Sequence, residues 1–192
     1  MHTSCFWKAI SRSVQICGIL LLLIYAPVAG VAQTNSNSAS VVLTATLLES
    51  ITVAAIPSSV LFNLNPGGTS NGSTPVSITT VWILGVTRTS LKLYGSFDSA
   101  SAALTDGNGD NIPSANVLGQ VTTGSPINFT AFTQTTPFGA AGAGLLLFSQ
   151  PIGITNTTGT RTDSLSLEID LTTLSIPAGV YVGTLHIQAQ AL

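Results

Sequence analysis

From residue 41 onward, the pattern of apolar and polar positions is that of strands. In 164–171, SLSLEIDL, Leu165, Leu167, Ile169 and Leu171 alternate with Ser164, Ser166, Glu168 and Asp170. Successive side chains of an extended chain point to opposite faces, so strict period two marks a strand with one buried and one wet face. The same alternation runs through 90–97, where Leu91, Leu93, Gly95 and Phe97 interleave with Ser90, Lys92, Tyr94 and Ser96. In 180–191, Tyr181, Leu185, Ile187 and Ala189 share one face, and Val180, Val182, Thr184, His186 and Gln188 share the other. Further candidate strands are 41–48, 51–56, 60–64, 75–84, 116–122, 127–133 and 145–149. Breakers separate them at Pro57-Ser58-Ser59, Asn65-Pro66-Gly67-Gly68, Asp106-Gly107-Asn108-Gly109-Asp110 and Ile176-Pro177-Ala178-Gly179. No fixed-period repeat and no amphipathic helical pattern interrupts this. Roughly ten short strands so punctuated predict an all-β fold. The expected architecture is an antiparallel immunoglobulin-like β-sandwich, with a jelly roll or a partly closed barrel as the alternative.

The first 32 residues follow a different pattern. Lys8 and Arg12 form a positive n-region, Ile19-Leu20-Leu21-Leu22-Leu23-Ile24 is an apolar core, and Gly30-Val31-Ala32 supplies small residues before Gln33. This is the layout of a secretory signal peptide cleaved before Gln33. The apolar run is short for a full membrane span, and Pro27 follows it. The expected organisation is therefore a signal peptide at 1–32, a flexible polar tail at 33–40 and a single sandwich domain at 41–192. The expected location is secreted, either extracellular or in the cell envelope (periplasm or outer surface).

Composition narrows the chemistry. Both cysteines, Cys5 and Cys17, lie in the signal, so a core without disulfides must carry stability. Without Lys8 and Arg12, the basic residues are Arg88, Lys92 and Arg161 against seven acids, and the formal net charge moves from −2 to −4. No basic patch remains, so nucleic acid is not an expected partner. No membrane span is expected once the signal is removed.

Few groups are left for a site. Asp106, Asn108 and Asp110 place oxygen ligands at alternating positions, as calcium loops do. Asn111 stands where such a loop needs Gly, however, and Val117 where it needs a bidentate Glu. A tight turn explains the same residues, because Asp, Asn and Gly supply caps and positive φ. Calcium at Asp106, Asn108 and Asp110 is the one cofactor to be weighed against none at all. Glu168 and Asp170 are neighbours on one wet strand face, whereas paired catalytic carboxylates face each other across a cleft. His186 lies on a polar face without a second His or Cys to complete a zinc site. The run Gly139-Ala140-Ala141-Gly142-Ala143-Gly144 precedes Leu145-Leu146-Leu147-Phe148, which reads as a strand, whereas a phosphate loop opens a helix. Trp82 in Val81-Trp82-Ile83-Leu84 reads as a core residue. The sequons at Asn71, Asn128 and Asn156 are those expected by chance in so Asn-, Ser- and Thr-rich a chain.

Pro177-Ala178-Gly179-Val180-Tyr181-Val182-Gly183-Thr184-Leu185 resembles the closing strand of secreted bacterial β-sandwich subunits. Spore coat protein U-like domains and chaperone–usher fimbrial subunits share that style of ending. The opening Val42-Leu43-Thr44-Ala45-Thr46-Leu47, after a signal and a polar tail, is similar as well. The resemblance implies an immunoglobulin-like fold and a surface or assembly role, with no catalytic residues to carry over. Two departures stand out: there is no disulfide, and Ala191 occupies the position of a penultimate Tyr.

The expected function is a non-enzymatic structural or surface protein whose partners are copies of itself or other envelope proteins. Self-assembly would proceed by strand addition, with Val41, Leu43, Ala45 and Leu47 as the inserted face. Residues 41–48 otherwise pair within their own chain. The alternative is a glycan- or calcium-binding sandwich module, and enzymatic activity is not expected.

Overall fold

The computed structural model describes residues 36–192, so the signal segment and its cleavage site lie outside the described residues. Thr46–Leu192 form one compact unit. Its strands in chain order are β1 (Ser50–Ile56), β2 (Thr69–Asn71), β3 (Val76–Ile83), β4 (Ser90–Ser96), β5 (Leu104–Thr105), β6 (Asn111–Ile112), β7 (Val117–Val121), β8 (Thr130–Ala131), β9 (Gly144–Pro151), β10 (Thr158–Asp170) and β11 (His186–Ala191). One 3-10 turn, Ser114–Asn116, precedes β7.

The larger sheet runs β1-β3-β10-β7-β8, with β2 added to the end of β10, and the smaller runs β11-β4-β9. Every pairing is antiparallel. Neither sheet closes, so the chain is an all-β sandwich and the barrel alternative falls away.

Period-two alternation decides which face each strand buries. Leu165, Leu167 and Ile169 of β10 point into the core, and Ser164, Ser166, Glu168 and Asp170 point outward. Leu91 and Leu93 of β4 and Leu145 and Leu147 of β9 are fully buried between the sheets. Phe132 fills the centre and meets Phe97 edge-on at 5.2 Å between ring centroids. Its ring fits because both sheets offer a glycine there. A Cβ on Gly95 would lie 2.9 Å from Phe132 Cε1, and one on Gly119 would lie 3.1 Å from Phe132 Cε2.

Several expected elements differ from those that form. Strand β10 begins six residues before the alternating stretch, at Thr158, because its polar half is held by the β3 ladder from Ile83 to Val76. Tyr94 and Ser96, expected on a wet face, are buried. The loop after β8 covers them, with Phe138 edge-on to Tyr94 at 6.0 Å. The expected strand at 127–133 shrinks to the two residues of β8, and that at 60–64 to a single bridge between Phe62 and Gly72. The last strand starts at His186 rather than at 180. Among the described residues, 41–48 form no strand, and they are exposed. Strand β1 takes the edge of the larger sheet instead, and no ladder partner faces 41–48 among the described residues.

Two polar features sit inside. Asp163 is buried and accepts from Arg161 Nε at 2.8 Å, Arg161 Nη2 at 2.7 Å and Thr123 Oγ1 at 2.8 Å. The guanidinium also donates to the Thr123 carbonyl and stacks over Phe148, 4.6 Å from the ring centroid. This ties β10 to the turn after β7. Thr80, buried at the centre of β3, has a hydroxyl without a hydrogen-bond partner among the described residues.

Two outcomes follow for equilibrium unfolding in denaturant. Arg161→Ala strands the Asp163 carboxylate and is expected to lower stability by about 3 kcal/mol, far more than loss of a surface arginine. Thr80→Val removes an unsatisfied hydroxyl while keeping the shape, and is expected to raise stability by about 1 kcal/mol.

Candidate functional site

Strands β1 and β11 are the edges of their respective sheets and contact each other, so they mark one side of the sandwich. Beyond Ile56 that side is not closed by a strand. Two irregular segments flank it instead, 57–64 after β1 and 172–185 before β11. Between them lies an apolar groove of about 1310 Å³. Core residues Val76, Phe97, Val117, Leu167 and Ile169 reach its floor.

The local sequence explains the rims. Val60, Phe62 and Leu64 alternate with Leu61 and Asn63 and turn their side chains onto the core. The segment is extended, yet beyond the Phe62–Gly72 bridge it lacks a ladder; Pro57-Ser58-Ser59 separates it from β1. On the other rim, Leu174, Ile176, Tyr181 and Leu185 pack inward likewise. Val182 and Thr105 exchange backbone hydrogen bonds at 2.9 and 3.0 Å, which pins that rim to β5. Most other backbone N–H and C=O groups of 57–64 and 172–185 have no backbone partner among the described residues. The outer edge of β11 is equally unpaired.

The groove is electrically neutral. Tyr181 is its one titratable lining group. Its hydroxyl donates to the Pro177 carbonyl at 2.9 Å. Desolvation, with the nearby Asp110 and Asp106 charges, pushes its phenol above the usual range, so it stays protonated at neutral pH. No lining residue is a carboxylate, imidazole or amine. Such a site can hold apolar side chains and satisfy an extended backbone. It offers no general acid or base near neutral pH.

The residues singled out from sequence lie elsewhere. Asp106 is the centre of its own turn. Its Oδ1 accepts from the backbone N–H of Asn108 at 2.8 Å and of Asp110 at 3.1 Å, and its Oδ2 accepts from Asn108 Nδ2 at 3.2 Å. The Asn108 N–H leads the interactions that hold its carboxyl below the ordinary range. Gly107 and Gly109 take positive φ, at 80° and 118°. Among the described residues, no group of three or more His, Cys, Asp or Glu is placed to hold a metal.

Glu168 and Asp170 sit on the outer face of β10. Asp170 caps the following turn through Thr172 Oγ1 at 2.6 Å and Thr172 N at 2.8 Å, which lowers its pKa. His186 is exposed, with Nε2 3.2 Å from Asp98 Oδ2. Trp82 is buried and donates to the Asn156 carbonyl at 3.0 Å. Gly139 and Gly142 form turns that lead into β9. The structure thus brings Asp106, Asn108 and Asp110 together in one turn and leaves the other residues singled out from sequence apart from them. The groove was missed because its residues are apolar and read as ordinary strand or turn. The available signal was two apolar segments, 57–64 and 172–185, interrupted by Pro where a ladder would have to form.

Comparison of the chain with protein-family models, with curated proteins and with solved structures finds no match. Among the described residues no helix is long and apolar enough to cross a membrane.

Because the oxygens of Asp106 already serve its own turn, about 1 mM calcium, enough to fill a weak extracellular site, is expected to leave the melting temperature unchanged. A calcium-dependent rise that Asp106→Ala abolishes would support the metal reading.

Proposed function

We propose that the protein is a non-enzymatic structural subunit, secreted to the cell envelope or surface, that assembles with copies of itself by strand donation. The donor is the arm 41–48 and the acceptor is the groove beside β11. One observation carries the reading: a chain with an open sandwich edge also carries an exposed apolar segment. Val41, Val42, Leu43, Leu47 and Leu48 are each between 77% and 89% exposed. Leaving them in water is costly, since each Val or Leu buried is worth about 1.5–3 kcal/mol.

The dimensions support the match. Eight extended residues span roughly 26 Å, the length of the eight-residue rim 57–64 when extended. An inserted strand lays its backbone along the rims 57–64 and 172–185, which lead to Ile187 of β11 and whose hydrogen-bonding groups mostly lack partners. Val41, Leu43, Ala45 and Leu47 then face the floor. A small apolar ligand would fill the volume and leave those backbone groups unsatisfied. The neutral lining suits the arm, which carries no charge between Val41 and Leu48.

Deletion of residues 33–48 tests the reading by sedimentation over a range of concentrations. The expected outcome is loss of high-order assemblies, with the fold retained by circular dichroism. Assembly that survives the deletion, or a full chain that stays monomeric at every concentration, contradicts it.

A further inference from the structure

We propose that the end of the sandwich from which the arm leaves is itself a contact surface for a second copy of this chain, built on Val86 and Ile154. The inference rests on strand donation as the mode of assembly. Residues 84–89 join β3 to β4, and residues 152–157 join β9 to β10. The two turns lie side by side. Leu84 N donates to the Thr157 carbonyl at 2.8 Å, and Ile152 N donates to the Thr89 carbonyl at 2.9 Å. Each carries a large apolar side chain into solvent, Val86 at 71% exposure and Ile154 at 85%. Leu192 closes the same end, its carbonyl accepting from Thr89 N at 2.6 Å.

The base of the arm is fastened to this end. Glu49 accepts from the Gly85 N–H and binds the Arg88 guanidinium through Nη2 at 2.6 Å and Nε at 3.1 Å. The Arg88 hydrogen bonds are the main reason its carboxyl stays below the ordinary range. Glu49 and Arg88 neutralise each other, and neither turn carries another charged side chain.

The decisive point is the absence of a linker. Leu48 is one residue from the pinned Glu49, a Cα spacing of about 3.8 Å. When Leu47 and Leu48 seat on an acceptor, the donor's turns must come against the acceptor's surface. An arm seated in the groove with its base at the opening brings the donor's turns to the groove's mouth. The neighbouring rims there expose Leu61, Val180 and Val182. Apolar tips on one end thus meet an apolar mouth on the other. The contact joins different surfaces of the two copies, so it propagates head to tail. Because the arm tethers the partners at high effective concentration, a modest apolar contact suffices to strengthen each junction.

The test compares the full chain with Val86→Asp/Ile154→Asp, Val86→Ser/Ile154→Ser and a control, Ile127→Asp, in the exposed loop between β7 and β8. All positions are solvent-exposed turns or loops, so monomer melting is expected to be unchanged. The concentration at half-assembly is expected to rise at least about tenfold for the Asp pair, because apposed apolar groups cannot satisfy a buried charge. The Ser pair is expected to fall between it and the wild type, and the control to match the wild type. A double Asp variant that assembles at the wild-type concentration, while deletion of 33–48 abolishes assembly, overturns this surface and leaves strand donation standing. Undiminished assembly after deletion of 33–48 overturns strand donation itself.

Discussion

An unpaired edge of the sandwich, with an apolar groove beside it, governs the rest of this structure. The smaller sheet stops at β11, and past Ile56 no strand covers that side of the core. Segments 57–64 and 172–185 fold their apolar residues inward from each rim, yet the groove between them remains open. The floor of the groove stays buried at Val117, Leu167 and Ile169, while Leu61, Val180 and Val182 on its rims stand exposed, so the shortage of buried apolar area lies at the rims, and the open edge is a template for another strand. An arm of alternating apolar residues on the same chain matches that shortage in length, polarity and charge. Under the proposed strand donation, stability and assembly would be one property, because the strand that completes the edge would arrive from another copy.

Elsewhere the core is closed with care. Phe132 sits between Gly95 and Gly119, one from each sheet, so the largest central ring is admitted by the absence of two methyl groups. The few charges act as fasteners. Arg161 and Asp163 hold β10 to the turn after β7, and Glu49 and Arg88 hold the base of the arm to the β3–β4 turn. Asp106 and Asp170 each organise a turn through their own carboxylates. Paired or capping in this way, these charges leave the groove neutral, which suits an apolar, uncharged occupant.

The fold class was legible because period two is a local signal that burial enforces. Leu165, Leu167 and Ile169 alternate in sequence and lie buried in the same order. What escaped was set by tertiary context. The polar start of β10 is a strand because β3 pairs with it, and Tyr94 is buried because a later loop crosses it. The stretch 60–64 has the alternation of a strand but no neighbour to complete a ladder. That failure and the groove share one cause, since the place where sequence overstated pairing is the place where a partner strand is missing. The arm 41–48 was legible as apolar and extended, and the sequence left open whether it pairs at home or abroad.

Amide hydrogen exchange in the full chain, above and below its assembly concentration, tests the central claim most directly. Completion of the sandwich by a second copy's arm predicts that amides of 58–64 and of 172–185 slow roughly a hundredfold on assembly, together with amides of 41–48. Unchanged exchange in these three segments in assembled protein would contradict it.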